Sequence, residues 1–294
     1  MSGVRPLAVP IFREFDQDAL DREYNNRGKI TNTVHKTYQT EGSNRAKASF
    51  RTRMDVPYGT RPEELVDLYL PDVSGPVPVH LFFHGGYWIS NKKDDFGFAA
   101  LPFVDHGVAV LIVEYGLIPA VTMAELIRQC RAALAWAWKN ASSFGGDPDN
   151  ITLSGHSAGA HIAAMLLATN WPDFDSSMPV DPIKACCGIS GVYDLEPIRL
   201  SFLNEDLGLT PEVARNFSPV LREPGVRAPF LLPVGGDEGP EYIRQSEEMA
   251  AAWLGRGVES KVWVMPSHNH FDTINQYLKT DSELSVAVRE QMGL

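Results

Sequence analysis

The chain has 294 residues, of which 44% are hydrophobic and 21% are charged, proportions that are ordinary for a soluble globular protein. Its formal net charge of -11 disfavours a nucleic-acid partner, because such binding draws on Lys and Arg side chains that contact phosphates. The apolar runs are far shorter than the roughly 20 residues that span a bilayer, and no secretory signal is visible at the N-terminus. We therefore expect a cytoplasmic protein with no membrane and no nucleic-acid partner.

The first 60 residues are polar and irregular, with one short helix predicted around residues 16–25. From residue 65 onward, short apolar runs that predict strands alternate with longer segments that predict helices. The predicted strands cover residues 65–70, 77–83, 108–113, 151–154, 185–189, 229–234 and 261–265. The predicted helices cover residues 95–106, 122–141, 157–169 and 241–254, and a closing helix follows Phe271.

Apolar strands separated by helices are typical of a parallel sheet that is buried on both faces. The pattern predicts one α/β domain over residues 1–294, with a doubly wound, mostly parallel sheet. Residues 192–226 contain several prolines and interrupt the alternation, so we predict a small lid-like insertion over the strand ends. The three cysteines, Cys130, Cys186 and Cys187, have no disulfide or metal-site spacing, and we interpret them as buried thiols.

A GHSAG pentapeptide at residues 155–159 stands between a predicted strand and a predicted helix. This context is that of a nucleophile elbow, in which the serine sits on a sharp turn above a parallel sheet. Glycines are needed on both sides because side chains there would clash in so tight a turn. We predict Ser157 to be the nucleophile of a serine hydrolase, with a buried packing serine as the alternative.

The HGGYW sequence at residues 84–88 ends an earlier predicted strand and is typical of the loop that faces such a serine. Acyl transfer needs N–H donors aimed at the oxygen that becomes negative in the tetrahedral intermediate. We assign the backbone N–H groups of Gly86, Tyr87 and Ala158 to this oxyanion hole, with His84 fixing the loop. The rings of Tyr87 and Trp88 predict a small acyl pocket, unless the Trp88 ring faces the core.

Two histidines follow the last predicted strand, where the general base of this kind of hydrolase stands. We predict His270 to be the base because it directly precedes the closing helix, with His268 as the alternative. No carboxylate or thiolate cluster accompanies them, so no metal site is expected. His156 and His161 are interpreted as turn and helix-surface residues.

A carboxylate must orient the imidazole of the base and stabilise its charged form. The turn after the strand at residues 229–234 offers the adjacent Asp237 and Glu238. Either gives the chain order nucleophile, acid, base that is typical of α/β hydrolases. The residues alone leave the choice between them open.

The chain resembles the arylformamidase (kynurenine formamidase) branch of the α/β hydrolases, which lies next to the hormone-sensitive-lipase-like esterases. The resemblance runs from EYNNR at residues 23–27 to His270, and HGGYW is its most specific mark. SGVYDLEP at residues 190–197, SPV at 218–220 and RQS at 244–246 are also similar to that family. In such sequences the acid stands three residues after the first glycine of its turn, which implies Glu238, with Asp237 as the alternative. We also predict Trp88 and Tyr193 as substrate-binding residues.

The resemblance implies hydrolysis of an aryl formamide such as N-formylkynurenine through a formyl-Ser157 intermediate. It implies no metal or organic cofactor and a small-molecule substrate as the binding partner. The oligomeric state is left open, with a homodimer as one arrangement. A small-acyl carboxylesterase, or a hydrolase of other amides or carbamates, is the alternative function. A non-catalytic binding protein of the same fold is disfavoured, because such proteins usually lack one of the three catalytic residues.

Overall fold

A computed structural model of the protein describes residues 9–30 and 34–294. Its centre is an eight-stranded sheet in the spatial order β1-β2-β4-β3-β5-β6-β7-β8. The strands are β1 (Arg51–Pro57), β2 (Leu65–Leu70), β3 (Val77–Phe83), β4 (Ala109–Val113), β5 (Gly146–His156), β6 (Ala185–Ile189), β7 (Phe230–Gly235) and β8 (Ser260–Met265). β2 pairs antiparallel with β1 and β4, whereas all the pairs from β4 across the sheet to β8 are parallel. The predicted mostly parallel α/β sheet is confirmed.

Helices connect the strands and cover both faces of the sheet. In the described ranges they are α1 (Gln17–Tyr24), α2 (Val34–Ser49), α3 (Met123–Asn140), α4 (Ala158–Leu167), α5 (Trp171–Phe174), α6 (Glu196–Leu200), α7 (Asn204–Leu207), α8 (Pro211–Asn216), α9 (Pro240–Leu254), α10 (His270–Asn275) and α11 (Glu283–Gln291). Helix α3 begins where predicted because the Thr122 hydroxyl accepts a hydrogen bond from the Glu125 N–H. None of the helices in these ranges has the length and apolar character needed to cross a membrane.

The core is divided by the sheet into two apolar clusters. Successive residues of β3 show the division: Leu81 and Phe83 pack in the larger cluster with α3 and α4, and Phe82 packs in the smaller one. The adjacent Cys186 and Cys187 divide in the same way, because side chains alternate along a strand. Both are buried free thiols, as expected.

Two elements near the start of the chain have weak sequence signals and were not predicted. β1 is an edge strand whose residues alternate between exposed and half-buried, so its polar RTRMD sequence carries little apolar pattern. Helix α2 is polar, and among its buried residues are Gly42 and Ser43. A further difference lies at residues 95–106, where the structure has 3-10 turns at Lys93–Ala100 and Val104–His106. Gly97 and Pro102 disfavour an α-helix there.

Candidate active site

Four loops at the carboxyl ends of β3, β5, β7 and β8 converge on one end of the sheet. Parallel strands bring their carboxyl ends to the same edge, which is where open α/β sheets bind ligands. A cavity of about 320 Å³ opens at this edge and is lined by both Ser157 and His270. Gly86 and Tyr87 also line it, so four of the residues singled out from the sequence are brought together from distant parts of the chain.

Ser157 occupies the sharp turn between β5 and α4, with φ 57° and ψ -118°. A residue with a side chain adopts such a conformation rarely, at a cost on the order of 1–3 kcal/mol. Side chains on either flank would prevent the turn: a Cβ at Gly155 would collide with the Gly159 carbonyl, and a Cβ at Gly159 with that of Phe83. The turn therefore places the serine at the N-terminus of a helix and at the wall of the cavity.

Glu238 and His270 form a buried pair beside this serine. The His270 Nδ1–H donates to Glu238 Oε2 at 2.6 Å, and Glu238 is only 1% exposed. The neighbouring Asp237 is exposed, so the geometry favours Glu238 as the partner of the imidazole. A carboxylate on Nδ1 fixes the tautomer and leaves Nε2 as the ring nitrogen that can accept a proton from Ser157.

The second oxygen of the Glu238 carboxylate is held by two donors of its own. Oε1 accepts from the Ser190 hydroxyl at 2.5 Å and from the Gly235 N–H at 2.6 Å. The Ser190 hydroxyl also lies 2.9 Å from that of Thr273, which donates to the His270 carbonyl. Sequence reasoning noted Ser190 only as part of a family motif and missed its contact with the acid.

The other histidines occupy different environments. His268 turns away from the acid, since its Nδ1 donates to the Pro266 carbonyl at 2.8 Å, a placement that favours His270 as the base. The interpretation of His161 as a helix-surface residue is wrong, because its side chain is buried, and His156 is the buried last residue of β5 and not a turn residue. His156 Nε2 donates to the His270 carbonyl, and burial holds the pKa of His156 well below its usual value. Burial likewise lowers the pKa of His161 to about 4.

The loop after β3 carries backbone donors beside the serine. Gly86 and Tyr87 both have positive φ, and the Gly86 carbonyl accepts the N–H groups of residues 89 and 90. His84 donates from Nδ1 to the Gly85 carbonyl at 2.9 Å, as expected of a residue that fixes this loop. In the described part of the chain, the N–H groups of Gly86, Tyr87 and Ala158 have no protein acceptor. They are the three that the sequence assigned to an oxyanion hole.

Trp88 and Tyr193 do not line the cavity, although the sequence suggested both as substrate-binding residues. Both side chains are fully buried. The Trp88 Nε1–H donates to His161 Nδ1 at 3.2 Å, and the Tyr193 hydroxyl to the Gly188 carbonyl at 3.1 Å. This placement argues against a substrate contact for either ring, because the Trp88 indole and the Tyr193 phenol both pack and form hydrogen bonds inside the protein. Of the aromatic pair at residues 87 and 88, only Tyr87 faces the cavity.

Sequence reasoning missed the residues that complete the cavity wall. They come from the N-terminal arm, the loop after β3, the insertion and the start of α10, and they comprise Tyr24, Asn25, Asn26, Arg27, Ile89, Ser90, Asn91, Phe202, Leu203, Asp206 and Phe271. The arm residues fall within the EYNNR sequence that carried part of the family resemblance. That motif was therefore a signal for the site, whereas the insertion residues belong to no recognised motif.

Comparison with known proteins bears on the chemistry of this site. The chain is 35% identical over 266 residues to the kynurenine formamidase of Danio rerio, with 88% of each chain covered. It belongs to the kynurenine formamidase family of α/β hydrolases. The kynurenine formamidase of Salmo salar is 32% identical, and that match covers 96% of this chain and 98% of the other.

Two further matches agree with membership of the kynurenine formamidase family. The family model BD-FAE matches residues 66–212, which include the predicted nucleophile and the loop after β3. A solved structure from Silicibacter sp., provisionally described as a thioesterase, superposes with a TM-score of 0.82 at 27% identity. It covers 92% of this chain and 98% of its own. The resemblance drawn from the sequence motifs is confirmed.

Proposed function

We propose that this protein hydrolyses aryl formamides, such as N-formylkynurenine, by passing the formyl group through Ser157 to water. The observation that carries the proposal is the buried Glu238–His270 pair on the same cavity as Ser157, in a chain of the kynurenine formamidase family. Apolar side chains such as Phe202 and Phe271 line that cavity and suit an aryl group.

In the acylation half, Ser157 Oγ attacks the formyl carbon while its proton moves to His270 Nε2. Glu238 stabilises the resulting imidazolium through Nδ1, and the N–H groups of Gly86, Tyr87 and Ala158 hold the oxyanion. When the C–N bond breaks, His270 returns the proton to the departing arylamine. The products of this half are the free amine and a formyl ester on Ser157.

In the deacylation half, water takes the place of the amine. His270 Nε2 removes a proton from the water as its oxygen attacks the formyl carbon, and the same oxyanion donors are used again. Collapse of the intermediate breaks the bond to Ser157 Oγ, which regains its proton from His270. Formate leaves, and the enzyme is restored without a metal or organic cofactor in any step.

The direct test is product analysis with purified protein and N-formylkynurenine. We expect formate and kynurenine in equal amounts, a rapidly quenched sample with formyl on the Ser157 peptide, and a rate unchanged by a chelator. Hydrolysis no faster than in buffer would refute the proposal. Loss of the rate with the chelator would instead show that a metal takes part.

The cavity predicts a preference for small acyl groups. The Tyr87 ring lines it and cannot easily swing aside, because its hydroxyl donates to the Tyr24 carbonyl at 2.7 Å and lies 2.7 Å from that of Tyr242. On aryl esters of increasing chain length we expect kcat/KM to be highest for formyl or acetyl and at least about tenfold lower for hexanoyl. A maximum at hexanoyl or longer would contradict this prediction.

Two opposite charges at the cavity fit the α-amino acid group of N-formylkynurenine. Arg27, from the arm, and Asp206, from helix α7, both line the cavity and are exposed. In the described ranges neither side chain forms an ion pair, so both charges are free to meet a ligand. We propose that Arg27 binds the carboxylate of the substrate and Asp206 its ammonium group.

This assignment predicts a substrate-dependent effect of Arg27→Met. We expect KM for N-formylkynurenine to rise roughly five- to tenfold, the effect of one charge-assisted hydrogen bond in a solvated setting. Formanilide, which has the formamide and the ring but no charged group, should be hydrolysed at an unchanged rate. Arg22→Met, at an exposed arginine outside the cavity, is the control. Equal losses on both substrates would remove the role from Arg27.

Ester hydrolysis is the alternative, since the same groups transfer an acyl group from oxygen or sulfur. The observation that favours it is the likeness to the structure from Silicibacter sp. Amide or carbamate substrates would use the same steps with a different leaving group. A cytoplasmic location, a homodimer and the lid-like role of residues 192–226 stay predictions from the sequence.

A further inference from the structure

A cluster of two hydroxyl groups and one amide adjoins the cavity that Ser157 lines, where the N-terminal arm contributes to the wall. The hydroxyls of Tyr87 and Tyr242 are 2.7 Å apart, and Asn26 Nδ2 lies 3.1 Å from the first and 2.6 Å from the second. Tyr242 is fully buried, and its ring packs against that of His270 with centroids 4.8 Å apart. The catalytic steps above assign nothing to Tyr242 or Asn26.

The protons of this cluster can be assigned from its acceptors. Tyr87 gives its single hydroxyl proton to the Tyr24 carbonyl, which can only accept. Asn26 must then face the two phenol oxygens with its NH₂ group, because its oxygen would meet a Tyr87 oxygen that has no proton left to give. This orientation leaves Asn26 Oδ1 buried and without a hydrogen-bond partner in the described ranges, which costs free energy of folding.

Tyr242 consequently keeps its own proton and can donate it to either of two oxygens, that of Tyr87 or that of Ser157. Burial raises the pKa of Tyr242, and hydrogen bonds, one of them with Ser157, offset only part of that rise. The phenol therefore stays protonated at neutral pH and remains a donor. In the resting state the Tyr242 proton lies on the Tyr87 oxygen, because the two oxygens are 2.7 Å apart and Tyr87 has no proton left to give. Asn26 also donates to that oxygen, so the Tyr242 proton can turn to Ser157 when negative charge develops there.

We propose that Tyr242 is a further catalytic residue, whose hydroxyl donates to Ser157 Oγ when negative charge develops there, and that Asn26 is the positioning residue that presents it. The charge develops twice, as the Ser157 proton moves to His270 and as Oγ takes the electron pair of the breaking C–O bond in deacylation. Tyr242 keeps its proton in both steps, so the overall reaction is unchanged. The inference rests on the proposed function.

The first test is Tyr242→Phe, which removes the hydroxyl and keeps the ring against His270. We expect kcat for N-formylkynurenine to fall roughly 10- to 100-fold, somewhat below the loss from removing an oxyanion donor, with KM changed less than about threefold. The rate at which a fluorophosphonate labels Ser157 should fall by the same factor, since it reports the nucleophile without an amine leaving group. Tyr277→Phe, at a buried tyrosine of the other apolar cluster, is the control.

The second test is a double-mutant cycle with Asn26→Asp, which keeps the shape and removes the amide donor. The new carboxylate should accept the Tyr242 proton and draw it from Ser157, so we expect a loss similar to that of Tyr242→Phe. In the Tyr242→Phe background the same change should add less than about threefold, because residues that act as a unit are not additive. Asn26→Leu, which removes the donor without adding charge, replaces Asn26→Asp if that variant does not fold.

Independent losses at the two positions, or a Tyr242→Phe variant within about twofold of wild type in kcat and labelling rate, would overturn the inference. These outcomes are distinct from a failure of the proposed function. Turnover of N-formylkynurenine and labelling of Ser157 by the unmodified protein report on that function, whatever the variants show.

Discussion

Ser157→Ala is expected to lower kcat/KM for N-formylkynurenine by about 10⁴-fold or more while leaving the fold intact. The variant loses the only protein atom that the mechanism bonds covalently to the substrate, and water cannot replace it in the same position. The side chain is small and 2% exposed, so its removal disturbs little packing. Activity and thermal unfolding measured on one preparation check both parts of the prediction.

Ser143→Ala, at an exposed serine outside the cavity, is the control for this change and should retain wild-type activity. A fluorophosphonate probe should label wild type and Ser143→Ala on Ser157 alone, and Ser157→Ala not at all. Residual turnover above about a hundredth of wild type in the Ala variant would show that the mechanism is wrong, since removing a triad member typically costs far more.

The second large effect is expected from Glu238→Gln. Two donors, the Ser190 hydroxyl and the Gly235 N–H, meet Oε1 of Glu238, so the amide oxygen of the variant must take that place. Its NH₂ group would then face His270 Nδ1 and force the tautomer that carries its proton on Nε2. Such a base cannot take the serine proton, and the comparable change in the serine proteases costs about 10⁴-fold in kcat.

Asp237→Asn is the matched control, because it makes the same chemical change one residue away at an exposed side chain. We expect it to stay within about tenfold of wild type, since surface substitutions are usually mild. The reverse ranking in kcat would move the acid to Asp237 and contradict the geometry of the buried pair. Mild losses in both variants would mean that another carboxylate of the chain orients the imidazole.

The sheet could be predicted from the sequence because its parallel strands are buried on both faces. Val77–Phe83 and Ala185–Ile189 have the bounds that their apolar runs indicate. The glycines around Ser157 were equally informative, since a turn with so little space accepts no other residue. Family resemblance then selected Glu238 over Asp237, a choice that the residues alone had left open and that the burial of Glu238 supports.

The walls of the cavity were harder to predict, because side-chain direction depends on tertiary packing. Trp88 lies in the same loop as Tyr87, yet its side chain, on a backbone with φ 61°, points into the core toward His161. Tyr242 and Asn26 are 216 positions apart in sequence, and no motif connects them. Sequence patterns predict local structure and the class of reaction well, whereas contacts between distant segments become visible only in the folded chain.

The most direct test of the central claim is a comparison of N-formylkynurenine with phenyl acetate on the same purified protein. The account predicts a kcat/KM for the formamide on the order of 10⁴ M⁻¹ s⁻¹ or more, as for ordinary enzymes on their own substrates, and a lower value for the ester. Rapid turnover of the ester, with formamide hydrolysis no faster than in buffer, would contradict it and identify a small-acyl carboxylesterase.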